Sequence, residues 1–288
     1  LEHIERKEIK MSKVVLVTGC SSGIGRDLAQ RLAQSGYLVA ATARKVETLD
    51  HLSAALKLPL DVTQVESVNH AVDSVLQRFG RIDVLVNNAG YALCGAVEEI
   101  SDEQVQKLFD VNVYGVLRMI RAVVPGMRQQ GSGRIINISS IGGKLVLPAN
   151  GLYSATKFAL EASSNALRLE LAPFGIQVVL IEPGGIKTHF MDTLQAHSQK
   201  IFNNSVSPYQ TLYKQYQQVA AGMTREEIGP EIVSQAIQRA VETSRPKARY
   251  LVAVSFPGRV VLRLGDSAWD FVVRQMFKMA PSAELQRS

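Results

Sequence analysis

The sequence predicts one α/β domain: a single doubly wound parallel sheet with helices on both faces. Three observations predict it. Short β-branched runs alternate with longer helical patterns along the 288 residues. The strand runs are continuously apolar, which suits strands covered on both faces. A glycine-rich turn lies between the first strand pattern and the first helical one, as in dinucleotide-binding sheets of this class.

In order, VVLVT (14–18) is a β-branched strand and GRDLAQRLAQSG (25–36) a helix closed by Gly36. YLVAATA (37–43) is the second strand and LPLDV (58–62) a short third. ESVNHAVDSVLQRFG (66–80) has the amphipathic spacing of a helix. DVLVNNAG (83–90) is a strand, 101–130 a long helix, and GRIINISS (133–140) another strand. A helix over about 152–173 leads to the strand IQVVLIEPGG (176–185). The alternation breaks after Gly185, where residues 186–228 are polar and weakly periodic, with Asn-Asn and Ser-Pro breakers. So long an excursion in a compact domain is usually functional, and a substrate loop or lid is expected there. A helix (about 229–243) and a strand (249–254) resume the pattern, followed by a helical tail over 255–288. There is no internal repeat and no linker, so residues 11–288 are expected to form a single domain.

Composition narrows the function. Hydrophobic residues make up 46% and charged residues 20%, which suits a globular chain with a sizeable core. There is no apolar run near the roughly 18 residues that span a bilayer, so no transmembrane segment is expected. The charged stretch LEHIERKEIK (1–10) has no apolar segment of the secretory kind and is expected to be an extension outside the fold, with Met11 a natural start. Cys20 and Cys94 show neither disulfide nor metal spacing, which points to a reduced, cytoplasmic protein without a metal. The net charge of +6 raises the question of nucleic acid. Residues 245–288 carry eight Lys/Arg against three Asp/Glu, scattered among apolar residues without aromatic interleaving. Nucleic acid is therefore not expected as a partner.

The turn TGCSSGIG places Gly19, Gly23 and Gly25 where a backbone must bend sharply and approach a pyrophosphate at a helix N-terminus. Between a first strand and a first helix, this is the signature of a Rossmann-type fold. The second strand selects the dinucleotide. An NAD site wants an acid near its end to bond the ribose 2′-hydroxyl. Here the strand ends AATARK, with Ala43 where the acid would stand and Arg44 and Lys45 following. A carboxylate would repel a 2′-phosphate and an Arg fork binds one, so NADP(H) is expected rather than NAD(H). Asp61 can accept from an adenine amino group, NNAG (87–90) lets backbone approach a ribose, and PGG (183–185) ends a later strand. All three lie at carboxyl ends of strands, where open sheets bind ligands.

YSATK sets Tyr153 and Lys157 one helical turn apart on one face. With TGCSSGIG, Asp61, NNAG, Asn112 in DVNVYG, Ser140 in INISS, and PGGIKT, the chain resembles the short-chain dehydrogenase/reductase family over about residues 12–190. Within it, VTGCSSGIG, GSGRIINISS, YSATKFALEA and LAPFGIQVVLIEPGGIKTHF look most like the NADP(H)-using group around 17β-hydroxysteroid and retinol dehydrogenases. The resemblance implies a catalytic set of Asn112, Ser140, Tyr153 and Lys157. Tyr153 matches the proton donor and acceptor, Lys157 its helper and holder of the nicotinamide ribose. Ser140 matches the residue that orients the substrate oxygen, and Asn112 the support of a water relay to the lysine. The cofactor residues it implies are Gly19, Ser21, Ser22, Gly23, Ile24 and Gly25 of the turn; Arg44; Asp61 and Val62; Asn88, Ala89 and Gly90; Tyr153 and Lys157; and Pro183, Gly184, Ile186 and Thr188. A homodimer or homotetramer is expected.

A ketone reduction needs a hydride and a proton for the developing alkoxide. A free phenol, pKa about 10, is a poor base near neutrality, and moving it by three units takes about 4 kcal/mol. Nearby positive charge supplies such a shift. The expected activity is an NADP(H)-dependent interconversion of a secondary alcohol and a ketone, or of an alcohol and an aldehyde; the resemblance implies a lipophilic, steroid- or retinoid-like or other carbonyl substrate. The alternatives are a non-catalytic dinucleotide sensor and an extended-branch epimerase or dehydratase on the same fold. Separately, DSAWDFVVRQMFKMA (266–280) carries Trp269, Val272, Val273, Met276 and Met279 as a helical stripe, with Asp266 or Ser267 able to cap its start. That helix is expected to pack beside the pocket or a subunit contact rather than lie on a membrane.

Overall fold

The computed structural model describes residues 12–186, 189–223, 228–262 and 264–279. The expected extension over 1–10, Met11 and Thr188 lie outside the described residues. Seven strands form one sheet: β1 (Val14–Val17), β2 (Leu38–Ala43), β3 (Leu56–Pro59), β4 (Val84–Asn87), β5 (Gly133–Ile138), β6 (Ile176–Pro183) and β7 (Arg249–Val252). Their order is β3-β2-β1-β4-β5-β6-β7, and every pairing is parallel. The helices are α1 (Gly23–Gln34), α2 (Val65–Phe79), α3 (Asp102–Phe109), α4 (Val116–Gln129), α5 (Gly151–Glu170), α6 (His189–Phe202), α7 (Gln210–Met223), α8 (Glu231–Glu242), α9 (Phe256–Val261) and α10 (Asp266–Met276). Strand order reverses between β1 and β4, which opens a crevice at their carboxyl ends.

The continuous apolar strands are explained by two cores. Val14 and Leu16 of β1 face a layer built by Val68 and Val72 of α2 and Met119 and Val123 of α4. Val15 and Val17 face the opposite layer, with Leu28 and Leu32 of α1 and Val233 and Ile237 of α8. Alternate residues therefore serve opposite cores, and no strand position needs to be polar. A third apolar cluster caps the carboxyl end of the sheet. It joins Tyr153 of α5 to Leu194 and Phe202 of α6, Tyr213 and Tyr216 of α7, and Val273 and Phe277 of the tail.

Several boundaries differ from the sequence reading. The third strand is β3 at 56–59, ahead of the expected 58–62, so Asp61 and Val62 stand in the loop beyond it. The expected helix over 101–130 is α3 and α4 joined by a π-helical segment, Asp110–Gly115. Its glycine sits so close to Val62 that a Cβ on Gly115 would stand 2.7 Å from that side chain. The stretch 186–228 holds α6 and α7 rather than irregular chain. Its Asn-Asn and Ser-Pro breakers fall in the turn between those two helices. The short α9 was not legible in FPGRVV, where Ser255 accepts from the Gly258 N–H. In the tail, α10 is capped at Gly265 without a side-chain bond, not by Asp266 or Ser267, and ends at Met276. The expected stripe does face the domain: Val273 is buried, Trp269, Met276 and Met279 pack on the third cluster, and Trp269 donates from Nε1 to the Val146 carbonyl at 2.9 Å. Among the described residues no helix is long and apolar enough to cross a membrane.

Candidate active site

The glycine turn is built by the residues around it. Thr18, buried at the end of β1, accepts from the N–H groups of Asn88 and Ala89 at 3.0 Å each and donates to the Val86 carbonyl. The Asn88 side-chain amide donates to the carbonyls of Thr18 and Gly19, both at 3.0 Å. The loop after β4 is thereby tied to the loop after β1. Gly19 has φ +73°, and a Cβ there would meet Ala89 backbone at 2.9 Å. A Cβ on Gly25 would collide with the Gly19 carbonyl and the Asn88 amide. The first turn of α1 has no side-chain cap and no acid, so its N–H groups and dipole favour an anion. Ser21 and Ser22 are exposed, and Gly23 and Ile24 are half-buried at the mouth of this turn. Cys20, inside the turn, is buried and bonded to the Val17 carbonyl; burial pushes its thiol up to about 12, which makes it unreactive.

Further along the crevice, Ala43 ends β2 nearly buried, while Arg44 and Lys45 are exposed. Among the described residues Arg44 has no ion-pair or hydrogen-bond partner for its guanidinium. Asp61 accepts from the N–H and hydroxyl of Thr63 through Oδ1, and Val62 is buried beside the π segment. Gly90 lies between two expected catalytic side chains: a Cβ there would stand 3.1 Å from Asn112 Oδ1 and 3.9 Å from Lys157 Nζ. Pro183 ends β6, Gly184 donates to the Val252 carbonyl at 2.8 Å, and Ile186 is buried. The bare turn, the uncapped helix and this glycine-lined gap fit a dinucleotide, and the unpaired Arg44 fits its 2′-phosphate.

The four expected catalytic residues come together from α5, the π-helical segment and the turn after β5. Tyr153 and Lys157 are successive turns of α5, with Lys157 Nζ 5.7 Å from the Tyr153 ring centroid. Lys157 is buried and donates to the Ile138 carbonyl at 2.9 Å. Burial pushes its ammonium down to about 8, and Glu161 one turn further on pulls the other way. Burial pushes the Tyr153 phenol up, opposed by a hydrogen bond with Ser140. Ser140 also accepts from the Gly142 N–H at 3.0 Å, which fixes its hydroxyl at the start of the following turn. Asn112, buried in the π segment, accepts from Tyr91 N–H at 3.0 Å and donates to the Tyr91 carbonyl at 2.8 Å and Thr156 at 3.2 Å. Its side chain thus joins the loop after β4 to α5.

Sequence reasoning missed the residues that close the site. Cys94 N–H donates to Ser198 of α6 at 2.8 Å, and Ala96 N–H donates to Tyr213 of α7 at 3.0 Å. Tyr213 in turn donates to Glu99, and Tyr209 to Glu98 at 2.6 Å. The Cys94 thiol and Tyr216 hydroxyl lie 3.1 Å apart. The two tyrosines of YKQYQ stand at helical spacing, but only their burial in the structure identifies them as anchors. Thr18 was legible in principle, as the hydroxyl directly before the first glycine.

The chain matches the short chain dehydrogenase family over residues 13–199. It is 44% identical over 180 residues to a 3-ketodihydrosphingosine reductase of Bacteroides thetaiotaomicron, covering 62% of this chain and 66% of that relative. It is 36% identical over 282 residues to human 17-beta-hydroxysteroid dehydrogenase type 1, covering 92% of this chain and 85% of the relative. Among solved structures, a short-chain dehydrogenase from Streptomyces avermitilis superposes with a TM-score of 0.71 at 35% identity, over 96% of both chains.

Proposed function

The chain belongs to the short-chain dehydrogenase family, and we propose on that basis that it is an NADP(H)-dependent oxidoreductase interconverting a lipophilic secondary alcohol and its ketone. The carrying observation is the Tyr153 phenol, hydrogen-bonded to Ser140 within an apolar cluster and set one turn from the buried Lys157. Bound NADPH supplies the hydride. Gly19, Gly23 and Gly25 with the first turn of α1 hold its pyrophosphate, Arg44 its 2′-phosphate, Asp61 its adenine, and Gly90 and Lys157 border its nicotinamide ribose. Ser140 orients the substrate oxygen, and Tyr153 gives it a proton as the alkoxide develops.

Burial holds the Tyr153 phenol protonated, the form that donates to a developing alkoxide; the NADPH/NADP⁺ ratio sets the direction of the reaction. Oxidation requires phenolate near neutrality, about 4 kcal/mol below the free phenol for a three-unit shift. The Lys157 ammonium supplies part of that, and a positive nicotinamide the rest. The surroundings of Tyr153 support a lipophilic substrate: Tyr153 belongs to an apolar cluster against which Leu147, Leu152, Val219, Trp269 and Met276 pack. Both relatives named above carry names of largely apolar substrates. Residues 186–228 act in this reading as the substrate loop, with α6 and α7 latched by Ser198 and Tyr213.

The test is loss of NADPH absorbance against a panel of small and bulky ketones, with Tyr153→Phe as the control. Turnover that disappears in the control supports the assignment. Tight NADPH binding with no turnover of any ketone or alcohol would replace it with a dinucleotide sensor.

A further inference from the structure

One turn beyond Lys157 on α5 stands a carboxylate that the reaction as described does not use. Glu161 is 4% exposed, and Glu182 on the neighbouring β6 is 5% exposed. Arg249 of β7 reaches both with one nitrogen and donates from the other to Asn165 Oδ1 at 2.8 Å. Lys144 joins them from the turn that follows Ser140, 3.2 Å from Glu161 and 4.0 Å from Glu182. That turn presses on the same place: a Cβ on Gly143 would stand 2.9 Å from Glu161 Cγ, 3.0 Å from Ser139 Oγ and 3.2 Å from the Lys157 carbonyl. Glu161 Oε1 is buried, with no hydrogen-bond partner among the described residues.

Buried carboxylates persist as anions only when cations and donors surround them. Two acids and two cations balance here, and an Arg cannot give up its proton. Lys157 is the third cation of the group and the one facing Tyr153. We infer that Glu161 is a positioning residue for the reaction: anchored by Arg249 and Lys144, it sustains the charge of Lys157 and locks the Ser140 turn against the catalytic helix. This rests on the role of Lys157 in the function proposed above.

The groups facing Lys157 are Tyr153 and Glu161 from its own helix and the Ile138 carbonyl from β5, with Asn112 of the π segment across Gly90; Glu182 from β6, Arg249 from β7 and Lys144 from the turn are gathered around Glu161 and reach Lys157 through it. Burial alone pushes Lys157 down, and Glu161 is the carboxylate that opposes it. Removing that negative charge makes the ammonium lose its proton at lower pH.

The experiment is an NMR titration of the full-length chain without cofactor, with lysine labelled at Cε and the Lys157 signal assigned by its loss in Lys157→Met. Glu161→Gln is expected to lower the Lys157 midpoint by about one pH unit, and the alkaline limb of ketone reduction should move with it. Glu161→Asp, which keeps the charge, should leave the midpoint within about half a unit of the parent. If Glu161→Gln does not fold, Glu182→Gln should move the midpoint the same way by less. An unmoved midpoint, or Glu161→Asp shifting it as far as Glu161→Gln, overturns the inference and leaves packing as the role of the cluster. Turnover surviving in Tyr153→Phe would instead sink the underlying function, so the two failures are distinct.

Discussion

Replacing Arg44 by Ala separates reading of the 2′-phosphate from binding of the rest of the dinucleotide. The side chain is exposed and has no partner among the described residues, so its loss should leave the fold within about 0.5 kcal/mol of the parent. A charge-assisted contact with a phosphate contributes about 1.5–3 kcal/mol. Exposure places Arg44 at the lower end, because screening acts over about 8 Å at physiological salt. The expected loss is therefore about 1.5 kcal/mol, or roughly tenfold in Kd for NADPH. NADH lacks the phosphate, so its Kd should change by less than about twofold. Titrations of both cofactors by fluorescence, at low and high salt, read this directly, and a thermal melt checks the fold. The NADPH penalty should shrink as salt rises. Adding Ala43→Asp should push the preference further toward NADH, by restoring an acid for the 2′-hydroxyl. Equal weakening of both cofactors, or a penalty insensitive to salt, would show that Arg44 does not contact the phosphate.

Tyr153→Phe should cut kcat by about 10²–10⁴ with NADPH affinity nearly unchanged, since only proton transfer needs the hydroxyl; more than roughly a tenth of kcat remaining would remove Tyr153 as the proton donor. Lys157 carries a pH signature in stability as well. Burial lowers its folded pKa to about 8 from the ordinary lysine value of 10.5, so below pH 8 both states are charged and the folded state bears the full cost of burying that charge. Between those values the unfolded chain holds the extra proton, and folding stability from this group rises with pH. The stability of the parent relative to Lys157→Met should therefore improve from pH 7 to pH 10 in denaturant titrations; a constant or worsening difference would contradict the sign. Truncation after Gly265 removes Trp269, Val273 and the fully buried Phe277. Burying a Val or Phe side chain contributes about 1.5–3 kcal/mol, so Tm should fall, and KM should rise more for bulky ketones than for small ones. Unchanged stability and kinetics, with lost sedimentation on anionic liposomes, would instead assign α10 to a membrane surface.

Much of the site was legible because its parts are local. In the turn TGCSSGIG, the positive φ of Gly19 and the approach of Gly25 to the Gly19 carbonyl require glycine for reasons that act within eight residues. Tyr153 and Lys157 share a helix face by spacing alone. Ala43 and Arg44 report the cofactor because charge is a property of the residue itself. What stayed hidden depends on partners far away in sequence. Nothing in YKQYQ says that two tyrosines bury their hydroxyls against the loop after β4, because the contacts span more than a hundred residues. The π segment around Asn112 was likewise concealed, since Asp110–Gly115 lies inside a longer helical pattern and only its packing against Val62 and α5 marks it.

By itself the sequence determined the parallel αβ alternation, the order of the motifs, and the residue types proposed to bind a dinucleotide and move a proton. Periodicity and backbone conformational preference act over a few residues, and they suffice for that. Only the tertiary structure decided how the tail and α6–α7 close on Tyr153, and how Glu161, Glu182, Lys144 and Arg249 gather below Lys157. Those four charges come from a helix, two strands and a turn, and no one of them has an unusual neighbour in the chain. Each becomes costly to bury alone, and therefore informative, only when folding takes all of them out of water together.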